Sequence, residues 1–134
     1  MLVDSHCHLD HLDLTDREGG LDGVIADALA QGITQFLSVA VDLSSSASLV
    51  DLTAKYSNIY SSVGVHPLQN IDQPVPSVQQ LVDLAQAQGV VAIGETGLDN
   101  FYSADTHKWQ RESFINHLQA SQSTGKPIII HTRD

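Results

Sequence analysis

The sequence contains a single cysteine, Cys7, among 134 residues. An internal disulfide is therefore excluded, which is typical of proteins from a reducing compartment. No apolar run approaches the roughly 18 residues that a membrane-spanning helix needs. The first residues also lack the basic segment, followed by an apolar one, that marks a secretory signal. We therefore expect a cytoplasmic protein that has no membrane partner.

Basic residues are scarce as well. Six Lys and Arg side chains stand against 16 Asp and Glu side chains, which gives a formal net charge of −10 at pH 7. Proteins that hold nucleic acids by their phosphates usually carry the opposite charge. If the substrate carries phosphate, bound cations must supply the attraction. The hydrophobic content of 42% is that of an ordinary globular chain of one domain or less.

Apolar, strand-like runs alternate with helical patterns along the sequence. The runs cover residues 2–3, 36–41, 59–65, 90–93 and 128–130. Between them, apolar residues recur at the helical spacing of three and four. Five strands separated by four helices predict a parallel sheet of the α/β class.

Each helical pattern has its own residues and its own end signals. The first repeats Leu21, Val24, Ile25 and Ala28 and stops at Gly32, and the second contains Leu49, Leu52 and Tyr56. The third contains Val78, Leu81, Val82 and Ala85, with Ser77 and Gln80 as a capping box and Gly89 as its terminator. The fourth spans about 105–124, with Phe114, Ile115 and Leu118 on one face and Gly125 at its end.

Histidines and a carboxylate follow four of the five predicted strands. They are His6 and His8 after the first strand, His66 after the third, Glu95 after the fourth and His131 after the fifth. In parallel α/β folds these strand ends meet at one edge. Residues i and i+2 of a strand share a face, so His6 and His8 point together and Cys7 points away. Imidazoles suit zinc, nickel, iron or copper, and a carboxylate extends the choice to manganese and magnesium. The pattern predicts a metal centre.

Four segments resemble the TatD family of metal-dependent hydrolases. They are VDSHCHLD at 3–10, GVHP at 64–67, GETGLD at 94–99 and IHTRD at 130–134. The resemblance implies a TIM (β/α)8 barrel with two divalent metal ions (zinc, magnesium or manganese) and deoxyribonuclease activity, as reported for several members. It also implies that His6 and His8 bind one metal, that Glu95 bridges both as the catalytic carboxylate, and that His131 binds the second. His66 would lie near the substrate.

The chain departs from the family pattern in two respects. Asn100 stands where the family usually has an aromatic residue, and the further histidine and late aspartate of relatives lie on strands after the fifth. A TIM barrel needs eight strands. We therefore expect residues 1–134 to be the N-terminal part of a single barrel domain, truncated to about five strands and four helices. An open fifth strand, with Ile128 and Ile130 partly exposed, would favour self-association.

The expected reaction is hydrolysis of phosphodiester bonds in DNA, or in a small phosphodiester, by metal-activated water. One alternative keeps the metal centre and changes the substrate to a carbonyl compound such as a lactone or an amide. Another is a catalytically silent fragment that binds metal. The chain alone is expected to be inactive.

Overall fold

The computed structural model describes residues 1–101 and 104–133 as a sheet flanked by helices. Its strands are β1 (Leu2–Cys7), β2 (Ile33–Ser38), β3 (Ile59–Val63), β4 (Val90–Asp99) and β5 (Ile128–Arg133). Its helices are α1 (Gly20–Ala30), α2 (Leu43–Thr53), α3 (Val78–Ala85) and α4 (His107–Thr124), with single 3-10 turns at Leu9–His11 and Ala104–Thr106. The predicted alternation of strands and helices is confirmed, but several strand bounds are wrong. β2 begins at Ile33 rather than at residue 36 and ends at Ser38 rather than at residue 41. Strands β1, β4 and β5 continue past their predicted ends, so that His6, Glu95 and His131 lie within strands and not after them. Asp134, the last residue of the IHTRD segment, lies outside the described residues.

The five strands follow one another across the sheet in sequence order, β1-β2-β3-β4-β5. Every neighbouring pair is parallel. Each helix therefore returns the chain to the starting end of the next strand, and the carboxyl ends of all the strands lie at one edge. This edge, formed by the C-terminal parts of the strands and the residues that follow them, is called the rim below.

Two hydrophobic clusters fix the helices on the strands. One joins β3 and β4 to α3 and α4 through residues such as Val63, Leu81 and Ile93, which are fully buried. The other joins β2 and β3 to α1 through Ile25 and Phe36. Burying a side chain of this size contributes about 1.5–3 kcal/mol, so the clusters hold the strand ends in a fixed arrangement.

Helix ends follow the predicted chemistry. The Ser77 hydroxyl accepts a hydrogen bond from the Gln80 N–H, and the Gln80 side chain accepts one from the Ser77 N–H, so the capping box of α3 is confirmed. A second box between Asp42 and Ser45 begins α2 and was not predicted. Gly125 adopts the left-handed conformation (φ 68°) that ends α4. Each N-terminal cap contributes about 1 kcal/mol.

The predicted second helix is too long. α2 ends at Thr53, so Tyr56 lies beyond it. Tyr56 nevertheless packs against the second cluster, and its hydroxyl donates to Asp22 of α1 at 2.6 Å. Its apolar ring therefore marks a contact of the loop rather than the continuation of the helix.

The apolar side chains that share one face of α4 are not the ones turned to the sheet. Ile115 and Leu118 are 48% and 43% exposed. The face turned to the sheet carries Gln110, Ser113, His117 and Ala120 instead. The physical reason is that backbone groups at the rim need hydrogen-bond partners, and polar side chains of α4 supply them.

Both edges of the sheet carry exposed apolar residues. β1 and β5 each have one neighbouring strand. Ile130 is 53% exposed and Ile128 is half-buried, as predicted for the fifth strand, and Leu2 and Val3 of β1 are exposed as well. None of the helices in the described part of the chain is long and apolar enough to cross a membrane.

Candidate metal centre

The rim brings the predicted histidines around Glu95. Two sets of side chains each place their ligand atoms within 4.8 Å of one another: His6, His8 and Glu95 form one, and His66, Glu95 and His131 form the other. Glu95 belongs to both sets. Its Oε2 lies 3.5 Å from His6 Nε2, and its Oε1 lies 3.1 Å from His131 Nδ1. One carboxylate oxygen therefore faces each set, as a carboxylate that bridges two cations requires.

Glu95 is buried, and its backbone is hydrogen-bonded to the segment that follows β2. Its N–H donates to the Ala40 carbonyl at 3.1 Å, and only 9% of the residue is exposed. Gly94, just before it, has φ 132°, and a Cβ there would lie 2.5 Å from the Ile129 carbonyl oxygen. Only glycine allows β4 to approach β5 this closely. Gly94 therefore permits the close strand pairing next to Glu95.

One ring nitrogen of His8 is fixed by a hydrogen bond to the backbone. Nδ1 lies 2.8 Å from the Val39 carbonyl oxygen. A carbonyl only accepts hydrogen bonds, so Nδ1 carries the proton and Nε2 keeps a free lone pair. Metal-binding histidines usually donate their other N–H to a carbonyl or a carboxylate in this way.

The two ring nitrogens of His66 have the opposite hydrogen-bond roles to those of His8. Its Nδ1 accepts a hydrogen bond from the Leu68 N–H at 3.2 Å, so the neutral ring carries its proton on Nε2. Burial, followed by repulsion from His131, lowers the pKa of His66 and favours that neutral ring. Although His66 lies within ligand distance, it offers a hydrogen-bond donor rather than a lone pair. The predicted contact of His66 with substrate stays a prediction.

His131 lies between two carboxylates. It pairs with Gly97 of β4, and residues 95 and 99 flank that glycine on the same strand. Nδ1 faces Glu95, and Nε2 lies 2.9 Å from Asp99 Oδ2. Burial opposes ionisation of Asp99, but hydrogen bonds from His131 and the Phe101 N–H outweigh it, so the pKa of Asp99 is lowered.

Cys7 points away from the rim histidines, as expected. Its Sγ donates to the Leu37 carbonyl at 3.3 Å. Burial, with smaller contributions from Asp4 and Asp10, raises the pKa of the thiol to about 12. A protonated thiol is a poor metal ligand. Asn100 is exposed, and its N–H donates to the Arg133 carbonyl at 2.8 Å, so it continues the pairing with β5.

Three buried residues at the rim were not predicted: Asp99, Gln110 and His117. The Gln110 side chain accepts from the Asp99 N–H at 2.8 Å and donates to the Asp99 carbonyl at 2.9 Å. His117 Nε2 accepts from the Val65 N–H at 3.0 Å, next to His66. A signal was available, since residues 110, 113, 117 and 120 form a helical stripe of small and polar side chains that is typical of a buried, hydrogen-bonded face.

Comparison with known proteins decides the family. The family model described as "TatD related DNase" matches residues 3–134. The chain belongs to the TatD family. An uncharacterized metal-dependent hydrolase, YcfH of Escherichia coli K12, is 46% identical over 133 residues, which cover 99% of this chain and 49% of the relative. The 3'-5' ssDNA/RNA exonuclease TatD of Enterobacter lignolyticus is 34% identical over 113 residues, which cover 84% of this chain and 44% of that protein.

The solved structures agree on the fold. The crystal structure of YjjV, a TatD homolog from E. coli K12, superposes with a TM-score of 0.86 at 25% identity, covering 98% of this chain and 51% of that one. The chain thus spans about half the length of the TatD relatives that it matches. The five parallel strands and four helices form half of a TatD-type TIM barrel, which confirms the expected fold class.

The donors at the rim suit a divalent cation. His8 presents a free imidazole lone pair, and Glu95 presents one oxygen to each set of histidines. Nitrogen and carboxylate donors of this kind bind zinc or manganese, and carboxylates bind magnesium.

Proposed function

We propose that the protein containing this chain is a divalent-metal-dependent hydrolase of phosphodiester bonds in DNA, with two cations at the rim. The observation that carries the proposal is the position of Glu95, whose two oxygens face two different sets of histidines. Membership of the TatD family supports the hydrolase class. The relative named as a 3'-5' ssDNA/RNA exonuclease supports a nucleic-acid substrate.

The histidines and Glu95 at the rim would have different roles. His6 and His8 would hold one cation, His131 the other, and Glu95 both. When bound, such cations neutralise the charge that develops on a phosphoryl group and acidify the attacking water. Glu95 would keep the two positions at a fixed spacing, since its backbone N–H donates to the Ala40 carbonyl.

His66 would bind the substrate. Its neutral ring carries the proton on Nε2, because Nδ1 already accepts a hydrogen bond from the Leu68 N–H. A phosphate oxygen accepts such a donor well, and a hydrogen bond to a charged group contributes about 1.5–3 kcal/mol. His66 would therefore orient the phosphodiester without binding metal.

The charge of the chain restricts how DNA is bound. With a net charge of −10, this 134-residue chain as a whole repels phosphate. The cations at the rim would supply the local attraction, so binding should depend on metal and should be weak where the rim is not involved. This arrangement suits cleavage of a strand end or a short single strand better than sequence-specific binding of a duplex.

The activity is tested with the complete reading frame that contains this chain. The protein is stripped with a chelator, reloaded with zinc, magnesium or manganese, and assayed on a single-stranded DNA oligonucleotide, on RNA and on a panel of lactones. We expect metal-dependent cleavage of DNA. Hydrolysis of lactones with no cleavage of either nucleic acid would contradict the proposal and favour the carbonyl alternative.

Two variants separate the proposed roles of Glu95 and His66. Glu95→Ala should lower turnover by about 1000-fold, because holding both cations supplies several kcal/mol. His66→Ala should cost only about 10–100-fold, the loss of one charged hydrogen bond. Equal or reversed losses would show that Glu95 is not the bridge.

A further inference from the structure

The two ring nitrogens of His131 face two different carboxylates. Nδ1 lies 3.1 Å from Glu95 Oε1, on the side of the proposed cations. Nε2 lies 2.9 Å from Asp99 Oδ2, on the side of the protein interior. A neutral imidazole carries one proton, so one nitrogen donates and the other keeps a lone pair. Which nitrogen holds the proton decides whether His131 can bind metal.

Asp99 offers a buried hydrogen-bond acceptor to the ring of His131. The residue is fully buried, and its Oδ1 accepts from the Phe101 N–H at 3.1 Å. Its Oδ2 is left for His131 Nε2, with the Arg133 Nε farther away at 3.9 Å. Both carboxylate oxygens are thus directed at donors.

Gln110 holds Asp99 at this position. Its side chain hydrogen-bonds both the N–H and the carbonyl of Asp99, and its Nε2 also donates to the Thr106 hydroxyl at 2.8 Å. Gln110 is itself fully buried on α4. A helix side chain therefore fixes the backbone of Asp99, and Asp99 in turn faces the ring of His131.

We propose that Asp99 is a positioning residue that takes the Nε2–H of His131 and so leaves Nδ1 as the metal ligand. The inference rests on the proposed function, because it takes His131 as a ligand. Carboxylate partners of this kind fix the tautomer and orientation of metal-binding histidines, and removing them costs about 10–100-fold in metal affinity.

Asp99→Asn tests the role without a change of shape. The amide has one acceptor oxygen for two donors, the Phe101 N–H and His131 Nε2–H. If the amide oxygen still accepts from the Phe101 N–H, the NH2 group faces His131 Nε2. Nε2 must then act as the acceptor, so the ring proton moves to Nδ1. A protonated Nδ1 cannot bind metal. Asp51→Asn, an exposed site on α2, is the matched control for the same chemical change.

Two measurements on the complete protein give the answer. Zinc affinity is measured by competition with a chromogenic chelator, for the wild type, both Asn variants and His131→Ala. The His131 tautomer is read in the metal-free protein from long-range ¹H–¹⁵N correlations, at a pH where the ring is neutral. We expect the proton on Nε2 in the wild type and on Nδ1 in Asp99→Asn, whose zinc affinity falls about 10–100-fold, while Asp51→Asn matches the wild type.

Other outcomes overturn the inference in distinguishable ways. A wild-type ring protonated on Nδ1 contradicts it, whether or not Asp99→Asn folds. Unchanged zinc affinity in Asp99→Asn, with a loss in His131→Ala, removes the role of Asp99 and leaves the metal centre standing. If His131→Ala also binds zinc normally, the metal centre of the proposed function fails together with the inference.

Discussion

His117 is a buried histidine whose charge state affects the stability of the rim. The residue is fully buried, accepts from the Val65 N–H, and donates from Nδ1 to the Ser113 carbonyl at 2.7 Å. Burial lowers its pKa from 6.5 to about 4. The unfolded chain therefore binds more protons than the folded one between these values. The stability that the neutral ring contributes is complete above pH 6.5 and is lost as the pH falls towards 4.

This shift predicts a pH-dependent stability that a single substitution removes. Between pH 6.5 and 4, the free energy of unfolding should fall by on the order of 3 kcal/mol because of His117 alone. In His117→Gln the amide can replace both hydrogen bonds but does not titrate, so this part of the slope should vanish. Urea unfolding at several pH values, in chelator, measures it. His11→Gln, an exposed site, is the control, and equal slopes in His117→Gln and the wild type would contradict the account.

The sequence reveals the ligand candidates more readily than the residues that orient them. His6, Glu95 and His131 are visible because each lies within three residues of the end of an apolar run. Parallel strands bring such positions together. Asp99 and His117 are not visible in this way. Only the folded chain shows their partners, which are the His131 ring and the Phe101 N–H for Asp99, and the Val65 N–H and the Ser113 carbonyl for His117.

At the scale of elements, β4 and β5 show why glycines recur around Glu95. A Cβ on Gly97 would overlap the carbonyl oxygen of His131. Because Gly97 separates Glu95 from Asp99, its missing side chain lets the backbone of β5 approach and brings the ring of His131 between both carboxylates. β4 and β5 thus pack closely at His131, the proposed metal ligand.

Gly97→Ala should therefore lower stability more than an alanine at a glycine with open surroundings. Gly125 is the matched control, since it has φ 68° and nothing within 4 Å of its Cβ position. Gly125→Ala should cost about 1–2 kcal/mol from backbone conformation, and Gly97→Ala about 1–3 kcal/mol more from the steric overlap. Urea unfolding compares the two variants. Equal losses would mean that β5 can move away from β4 without cost.

The order of strands and α-helices was predictable from periodicity, because burial imposes those periods. Their bounds were not, since Tyr56 packs beyond the end of α2 and β2 begins at Ile33 rather than at residue 36. The face of α4 could not be predicted from hydrophobicity, since Gln110 and His117 are buried for their hydrogen bonds while Ile115 and Leu118 are exposed.

At the scale of the whole molecule, the outer strands predict how the 134-residue chain behaves by itself. β1 and β5 present one unpaired edge each, with Leu2, Val3 and Ile130 exposed. Exposed apolar edges of this kind favour association between copies. We expect residues 1–134 to self-associate and to show no metal-dependent cleavage of DNA above a His6→Ala control. Light scattering coupled to gel filtration, with a nuclease assay on the same fractions, tests both. A monomer that cleaves DNA, at a rate abolished by His6→Ala, would contradict the prediction.

The position of Glu95 also has a kinetic consequence. Its oxygens face His6 on the first strand and His131 on the fifth, so both sets of donors exist only after β1 and β5 have joined the sheet. Contacts between such distant parts of a chain form late, because loop closure must be achieved first. A cation there would stabilise the native state and not the transition state for folding. In the complete protein, saturating zinc should therefore slow unfolding in stopped-flow experiments and leave the refolding rate unchanged. The metal would then stabilise the folded sheet without taking part in its formation.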